Sequence, residues 1–250
     1  MADPIYIYGL HPVLEFLRSN PAKINRLLIS AALRDKKIDE LYQLARQADI
    51  RVERVERHEL DRLVPNGVHQ GIVIRIPSIE YADIDALFER ANVGGEKPLI
   101  VALDQVQDPH NFGAIARSAF ALGAHGILVP KNRACPITGT VLKSSAGAIA
   151  HLPIVQVTNL SQGLAQLKKA GLWVVGTVLE GGQPLESVDL SDGIVLVIGS
   201  EGKGLREKTK KLCDFKAFIP MRGNIGSLNA SVAAGVCLYE AARQRGLNAL

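Results

Sequence analysis

The chain has 250 residues, 47% hydrophobic and 22% charged but only 5% aromatic, which allows a sizeable aliphatic core in one or two domains. No apolar run reaches bilayer length, and the start, Met-Ala-Asp-Pro, has no basic stretch leading into an apolar one, so neither a membrane span nor a secretory leader is expected. The net charge of +4 permits an acidic partner without demanding one. Cys135, Cys213 and Cys237 are far apart and no His-x-x-x-His pair occurs, so the thiols read as reduced and packed, as in a cytoplasmic protein, and no metal is expected.

Residues 5–76 read as a small α/β unit. Helices are expected at Val13 to Leu17, Ile38 to Gln47 and His58 to Leu63. Strands are expected at Arg26 to Ser30, Arg51 to Val55 and His69 to Ile76, with Pro77 ending the last. Residues 78–97 hold an acidic helix, Ile84 to Arg90, followed by Asn-Val-Gly-Gly-Glu-Lys-Pro, a composition that suits a linker. The charge agrees: residues 1–77 carry 12 Lys/Arg against 10 Asp/Glu, residues 78–97 carry 2 against 5, and residues 98–250 carry 15 against 10.

From Pro98 the texture changes to apolar strands at helix-length intervals: Leu99 to Leu103, Ile127 to Val129, Ile154 to Val157, Leu172 to Val178 and Ile194 to Ile198. Such runs with helical crossovers argue for a parallel sheet covered on both faces. Lys131 to Thr140 has no clear pattern.

Ligands of open parallel sheets sit beyond the carboxyl ends of the strands, and three strand ends here are unusual. After the first, Asp108-Pro109 favours a turn, Asn111 is placed to cap the next helix, and Arg117 follows six residues later, so both are candidates for a shared crevice. After Ile198 comes Gly199-Ser-Glu-Gly-Lys-Gly204, which matches neither the Walker A run nor Gly-x-Gly-x-x-Gly. Glu201 in that loop suits a polar ligand without a polyphosphate. Lys203, Arg206, Lys208, Lys210 and Lys211 follow directly, a run whose ordinary reading is a solvated face. The third is Ile219 to Asn229, a Gly-rich turn entering a helix near Ser227. That helix carries Val232, Val236 and Tyr239 on one face, beside Ala233, Ala234 and Gly235. A ligand there would meet free backbone N–H groups and small side chains.

Together the three runs, Asn111-Phe-Gly-Ala-Ile-Ala-Arg117, Gly199-Ser-Glu-Gly-Lys-Gly204 and Ser227-Leu-Asn-Ala-Ser231, resemble the three motifs of the SpoU/TrmH branch of the SPOUT methyltransferases. The resemblance spans roughly residues 98–245. Tyr8-Gly-Leu-His-Pro12 and His69-Gln-Gly-Ile72 make residues 1–77 similar to the L30e-like substrate-binding domain of some family members.

The resemblance implies an α/β protein with an RNA-binding domain at 1–77, a linker at 78–97 and a parallel-sheet methyltransferase domain with a deep trefoil knot at 98–250. It implies S-adenosylmethionine (AdoMet) held by Gly199, Ile219 and Leu228, with Thr177 and Gly202 lining the pocket. It also implies methyl transfer to the ribose 2′-oxygen of a guanosine in 23S ribosomal RNA, free or in a precursor particle. Asn111 and Arg117 would serve the chemistry, and Glu201, Ser227 and Asn229 would order the loops. A cytoplasmic homodimer through the knotted domain follows, with no membrane partner and Arg117 in its own or its neighbour's site. Arg26, Arg34, Lys36 and Lys37 are candidates for holding phosphates in the first domain. A transfer-RNA ribose methyltransferase and a non-catalytic ribosome-assembly factor are the alternatives. A nicotinamide-dependent oxidoreductase shares the sheet class but needs a fingerprint this chain lacks.

Overall fold

The computed structural model describes residues 4–33, 38–65, 67–222 and 226–246. They fall into two compact units, residues 1–79 with 137–147, and residues 80–136 with 148–250.

The first unit runs β1 (Ile5–Tyr8), α1 (Leu10–Ser19), β2 (Arg26–Ser30), α2 (Ile38–Gln47), β3 (Val52–Val55), α3 (Arg57–Leu63) and β4 (Ile72–Ile76). Its sheet has the order β1-β4-β2-β3, with β4 antiparallel to both neighbours and β3 parallel to β2. The last strand starts three residues later than expected. Gln70 and Gly71 have φ of 53° and 79°, which turns the chain out of a strand before Ile72. Buried His69 holds that turn: its Nδ1 accepts from the Gly71 amide at 2.9 Å, so Nε2 carries the proton toward Asp61 Oδ1 at 2.8 Å.

The second unit holds α4 (Asp85–Gly94), β5 (Leu99–Asp104), α5 (Pro109–Ala121), β6 (Gly126–Pro130), β7 (Ile154–Val157), α7 (Leu160–Lys169), β8 (Trp173–Thr177), β9 (Gln183–Pro184), β10 (Ile194–Gly199), α8 (Glu207–Lys210), β11 (Phe215–Phe218) and α9 (Ala230–Gln244). Its sheet has the order β7-β6-β5-β10-β8-β11-β9, every pairing parallel. β10 lies against β5 from Ile194↔Leu99 to Gly199↔Asp104, and every residue of both strands is buried. Strands β5 to β7 step outward on one side and β8 lies on the other, so the order reverses between β5 and β10. A reversal of this kind opens a crevice at the carboxyl ends.

Residues 78–97 differ from the linker expected of them. Leu87 and Ala91 of α4 are fully buried, Leu87 among Leu128, Val155 and Leu164, and the Ala82 backbone pairs with Val155. Leu87 and Ala91 are spaced i, i+4, so they share one helix face, and the acidic residues occupy the other. The unpatterned stretch after Lys131 contains α6 (Gly139–Ser144), which belongs to the first unit. A Cβ on Gly139 would lie 2.1 Å from the Tyr6 carbonyl oxygen of β1, so only glycine fits that approach. Burial pushes the free thiols of Cys135 and Cys213 up to about 11 and that of Cys237 to about 12, so all three stay protonated near neutral pH. No helix among the described residues is long and apolar enough to cross a membrane.

Candidate functional site

The three unusual strand ends meet in the second unit. Asp108, not Asn111, caps α5: its carboxylate accepts from the His110 amide at 2.9 Å, and Pro109 fills the first helical position. Asn111 lies inside the first turn, 8% exposed. Its Nδ2 donates to Glu201 Oε1 at 2.9 Å and its Oδ1 accepts from Asn229 Nδ2 at 3.0 Å. Asn229 caps α9, with Oδ1 accepting from the amides of Ser231 at 2.9 Å and Val232 at 3.3 Å. Asn229 Nδ2 also donates to Glu201 Oε1, as does the Ala230 amide at 3.3 Å. One carboxylate oxygen therefore gathers donors from the starts of two helices. Glu201 can only accept, and that fixes the orientation of both amides.

The loop carrying Glu201 is held from two sides. A Cβ on Gly199 would lie 2.4 Å from the Gly204 carbonyl carbon, so the loop closes on itself where β10 ends. Gly204 N–H donates to Ser200 C=O at 2.9 Å, and Gly202 and Gly204 have φ of 75° and 61°, a left-handed backbone suited to glycine. Beyond the loop, Arg206 is not part of a solvated face. Fully buried Asp104, the last residue of β5, accepts from its amide at 3.0 Å and its Nε at 2.6 Å. This contact went unread in the sequence; the available signal was an aspartate closing an otherwise apolar strand. Gln105 follows at φ 66°, a strained backbone for a non-glycine beside the site.

A crevice opens between the ends of β8, β10 and β11 and the start of α9. Thr177, Gly199, Gly202, Ile219 and Leu228 all line it, as do Glu201 and Ser227. Thr177 Oγ1 donates to the Val197 carbonyl at 3.0 Å. The lining suits a nucleoside-like ligand: apolar side chains for ring faces, open glycine backbone for ring edges. Arg117 lies elsewhere. It is exposed on α5, about 120° around the helix from Asn111, and it does not line the crevice. One chain alone thus does not bring Arg117 and Asn111 to a shared pocket.

Residues 98–239, more than half of the chain, match the SpoU rRNA Methylase family. The chain belongs to this family. Residues 6–82 match a second model, RNA 2′-O ribose methyltransferase substrate binding. Among SpoU relatives, the chain is 42% identical over 242 residues to the 23S rRNA (guanosine-2′-O-)-methyltransferase RlmB of Pseudomonas putida, covering 96% of each. It is similar to the SpoU methyltransferase AviRb of Streptomyces viridochromogenes, solved with AdoMet, at a TM-score of 0.74 and 30% identity over 98% of this chain and 92% of that one. An AdoMet-bound rRNA methyltransferase of Sinorhizobium meliloti also has a TM-score of 0.74, at 26% identity over 96% of this chain and 87% of that one.

Proposed function

We propose that this SpoU protein transfers the methyl group of AdoMet to the ribose 2′-oxygen of a guanosine in 23S ribosomal RNA. The observation that carries the proposal is the lock of Asn111, Glu201 and Asn229, which ties all three motif segments together beside a glycine-lined crevice. The kinship to RlmB supports the substrate, and AdoMet in AviRb supports the cofactor.

Gly199, Ile219 and Leu228 would hold AdoMet, with Thr177 and Gly202 completing the wall. When bound, AdoMet supplies a methyl carbon on a positively charged sulfur. The chain's own residues have to fix the ribose in line and help the hydroxyl shed its proton. Both amide atoms of Asn111 are engaged by Glu201 and Asn229, which makes Asn111 a positioning residue. Ser227 and Asn229 set the rim and the helix start. The Arg117 guanidinium is a planar fork of N–H donors with no acceptor. It binds the phosphate beside the target ribose and stabilises the developing oxyanion, and the proton leaves through phosphate or water. In an Arg117→Lys enzyme the lost rate does not return as pH rises; recovery at high pH would make this residue a base.

The same reading includes a homodimer. Val232, Val236 and Tyr239 form an exposed apolar stripe on α9. The small residues of that helix face inward instead: Ala234, Cys237 and Ala241 are buried, and Gly235 lies toward Ser118 of α5. Pairing of two stripes would carry each Arg117 to the partner's crevice. A deep trefoil knot fits the insertion of β10 between β5 and β8 and the meeting of three loops in one crevice. The first unit would bind the RNA, free or in a precursor particle, in the cytoplasm. Arg26 there pairs with Glu53 on the next strand, and Arg34, Lys36 and Lys37 lie outside the described residues.

Purified protein with labelled AdoMet and unmodified 23S, 16S and transfer RNA tests the proposal. Label recovered as 2′-O-methylguanosine from 23S RNA alone is the expected result. Label in transfer RNA would replace the substrate. Absence of both methylation and AdoMet binding would leave an RNA-binding scaffold.

A further inference from the structure

We infer that the segment leaving the crevice, from Lys203 through α8 to β11, is a phosphate-binding ridge that holds the RNA backbone next to the target nucleotide. The inference rests on the RNA-methyltransferase reading above and adds a second RNA contact, on the catalytic unit itself. Residues 200–216 carry six cations, Lys203, Arg206, Lys208, Lys210, Lys211 and Lys216, and three carboxylates, Glu201, Glu207 and Asp214. The structure commits every one of the carboxylates. Glu201 accepts from Asn111 and Asn229. Glu207 pairs with Lys210 at 2.9 Å. Asp214 pairs with Lys168 at 2.7 Å and accepts from the Val174 amide at 2.9 Å. Arg206 is spent on Asp104.

Lys203, Lys208, Lys211 and Lys216 remain. All four are exposed, and among the described residues none has an ion-pair partner. Lys203 stands between Gly202 and Gly204, both of which line the crevice, so the ridge starts at its rim. Lys208 and Lys211 lie on and just after α8. Lys216 follows on β11, one residue before crevice-lining Ala217. Glu207 is held below the usual carboxylate range chiefly by its bond to Lys210, with Lys211 and Lys216 adding to the effect, which places those ammonium groups in one field. Four unpaired ammonium groups beside a site built for a ribose complement a polyanionic strand, and a lysine acts on phosphate as a point charge. Base identity would be read elsewhere, because phosphate contacts position without specifying.

The affinity of the protein for an unmodified 23S transcript, measured between about 50 and 200 mM KCl, decides the matter. Each phosphate contact contributes about 0.7 to 0.9 to the slope of log K against log salt. Lys203→Gln, Lys208→Gln, Lys211→Gln and Lys216→Gln should each flatten the slope by about that amount, while Lys97→Gln, before the amino end of β5, leaves it unchanged. In the fourfold variant the gap to wild type should shrink by about 50- to 150-fold across that salt range. KM for the transcript should rise, with kcat at saturating RNA and AdoMet affinity unchanged. A fourfold variant that binds AdoMet normally and keeps the wild-type slope overturns the ridge and leaves the methyltransferase reading intact. Wild-type protein that binds AdoMet but neither binds nor methylates the transcript overturns both.

Discussion

Asp104 places a carboxyl group out of reach of water at the end of β5, and among the described residues Arg206 is its ion-pair partner. The two partners are unequal, since the Arg206 side chain is 36% exposed and can turn to solvent. Arg206→Ala leaves a buried charge and should cost about 3 kcal/mol. Adding Asp104→Asn should restore at least half of that loss in urea unfolding; a double variant no more stable than Arg206→Ala would mean that the pair is not what holds the loop. At this scale the sequence is legible only where the residue type itself is restrictive. Gly199, Gly202 and Gly204 announce a tight loop because other residues do not fit. Arg206 reads as one more surface cation, because its partner is 102 residues away and nothing local marks it. Asn111 is read as a cap because Asn favours caps, yet Asp108 sits one residue before Pro109 and takes that place.

Among elements, the parallel strands read clearly because both faces are covered, so each appears as an unbroken apolar run. Helix α4 is legible as an acidic helix at Ile84 to Arg90, but its acidic face hides the burial of Leu87 and Ala91, and β9, two residues long, offers no period to detect. The turn from β10 is the most constrained of the connections. Gly199→Ala would push a methyl group against the Gly204 backbone, which is not the movable end of a side chain. The variant should lose about 1–3 kcal/mol of stability and at least tenfold in AdoMet affinity by calorimetry; unchanged affinity would free the loop from its part in the pocket. On α9, Val236→Asp puts a charge in the apolar stripe. The expected protein sediments as a monomer, binds AdoMet and fails to methylate. A monomeric variant at full rate would remove the partner's Arg117 from the chemistry.

Across the whole molecule, acid sensitivity should trace in part to buried His125, at the amino end of the second sheet. Its Nδ1 accepts from the Leu99 amide at 3.0 Å and its Nε2 lies 3.2 Å from Glu96 Oε2. Burial lowers its pKa, Glu96 opposes that, and Arg245 and Arg90 reinforce it. The unfolded chain, with a pKa near 6.5, takes up a proton that the native chain resists. Stability is therefore complete above about pH 6.5 and declines as the pH falls below it. His125→Asn, which can keep an acceptor toward Leu99, should flatten urea midpoints between about pH 7.5 and 5.5. An equal slope in the variant would assign the acid loss to other groups.

The allocation of α6 to the first unit also sets a timetable for synthesis. A ribosome making about 5–20 residues per second delivers residue 147 some 3–14 s after residue 79. During that interval β1 waits for the helix that seats Gly139 against Tyr6, while β5 and β6 of the second unit are already emerging. The unit that begins first is therefore not complete until part of the second has been made. Nascent chains arrested with about 110 residues outside the tunnel should leave β1 open to protease, and chains arrested past residue 147 should protect it. Early protection of β1 would show that the first unit closes without α6.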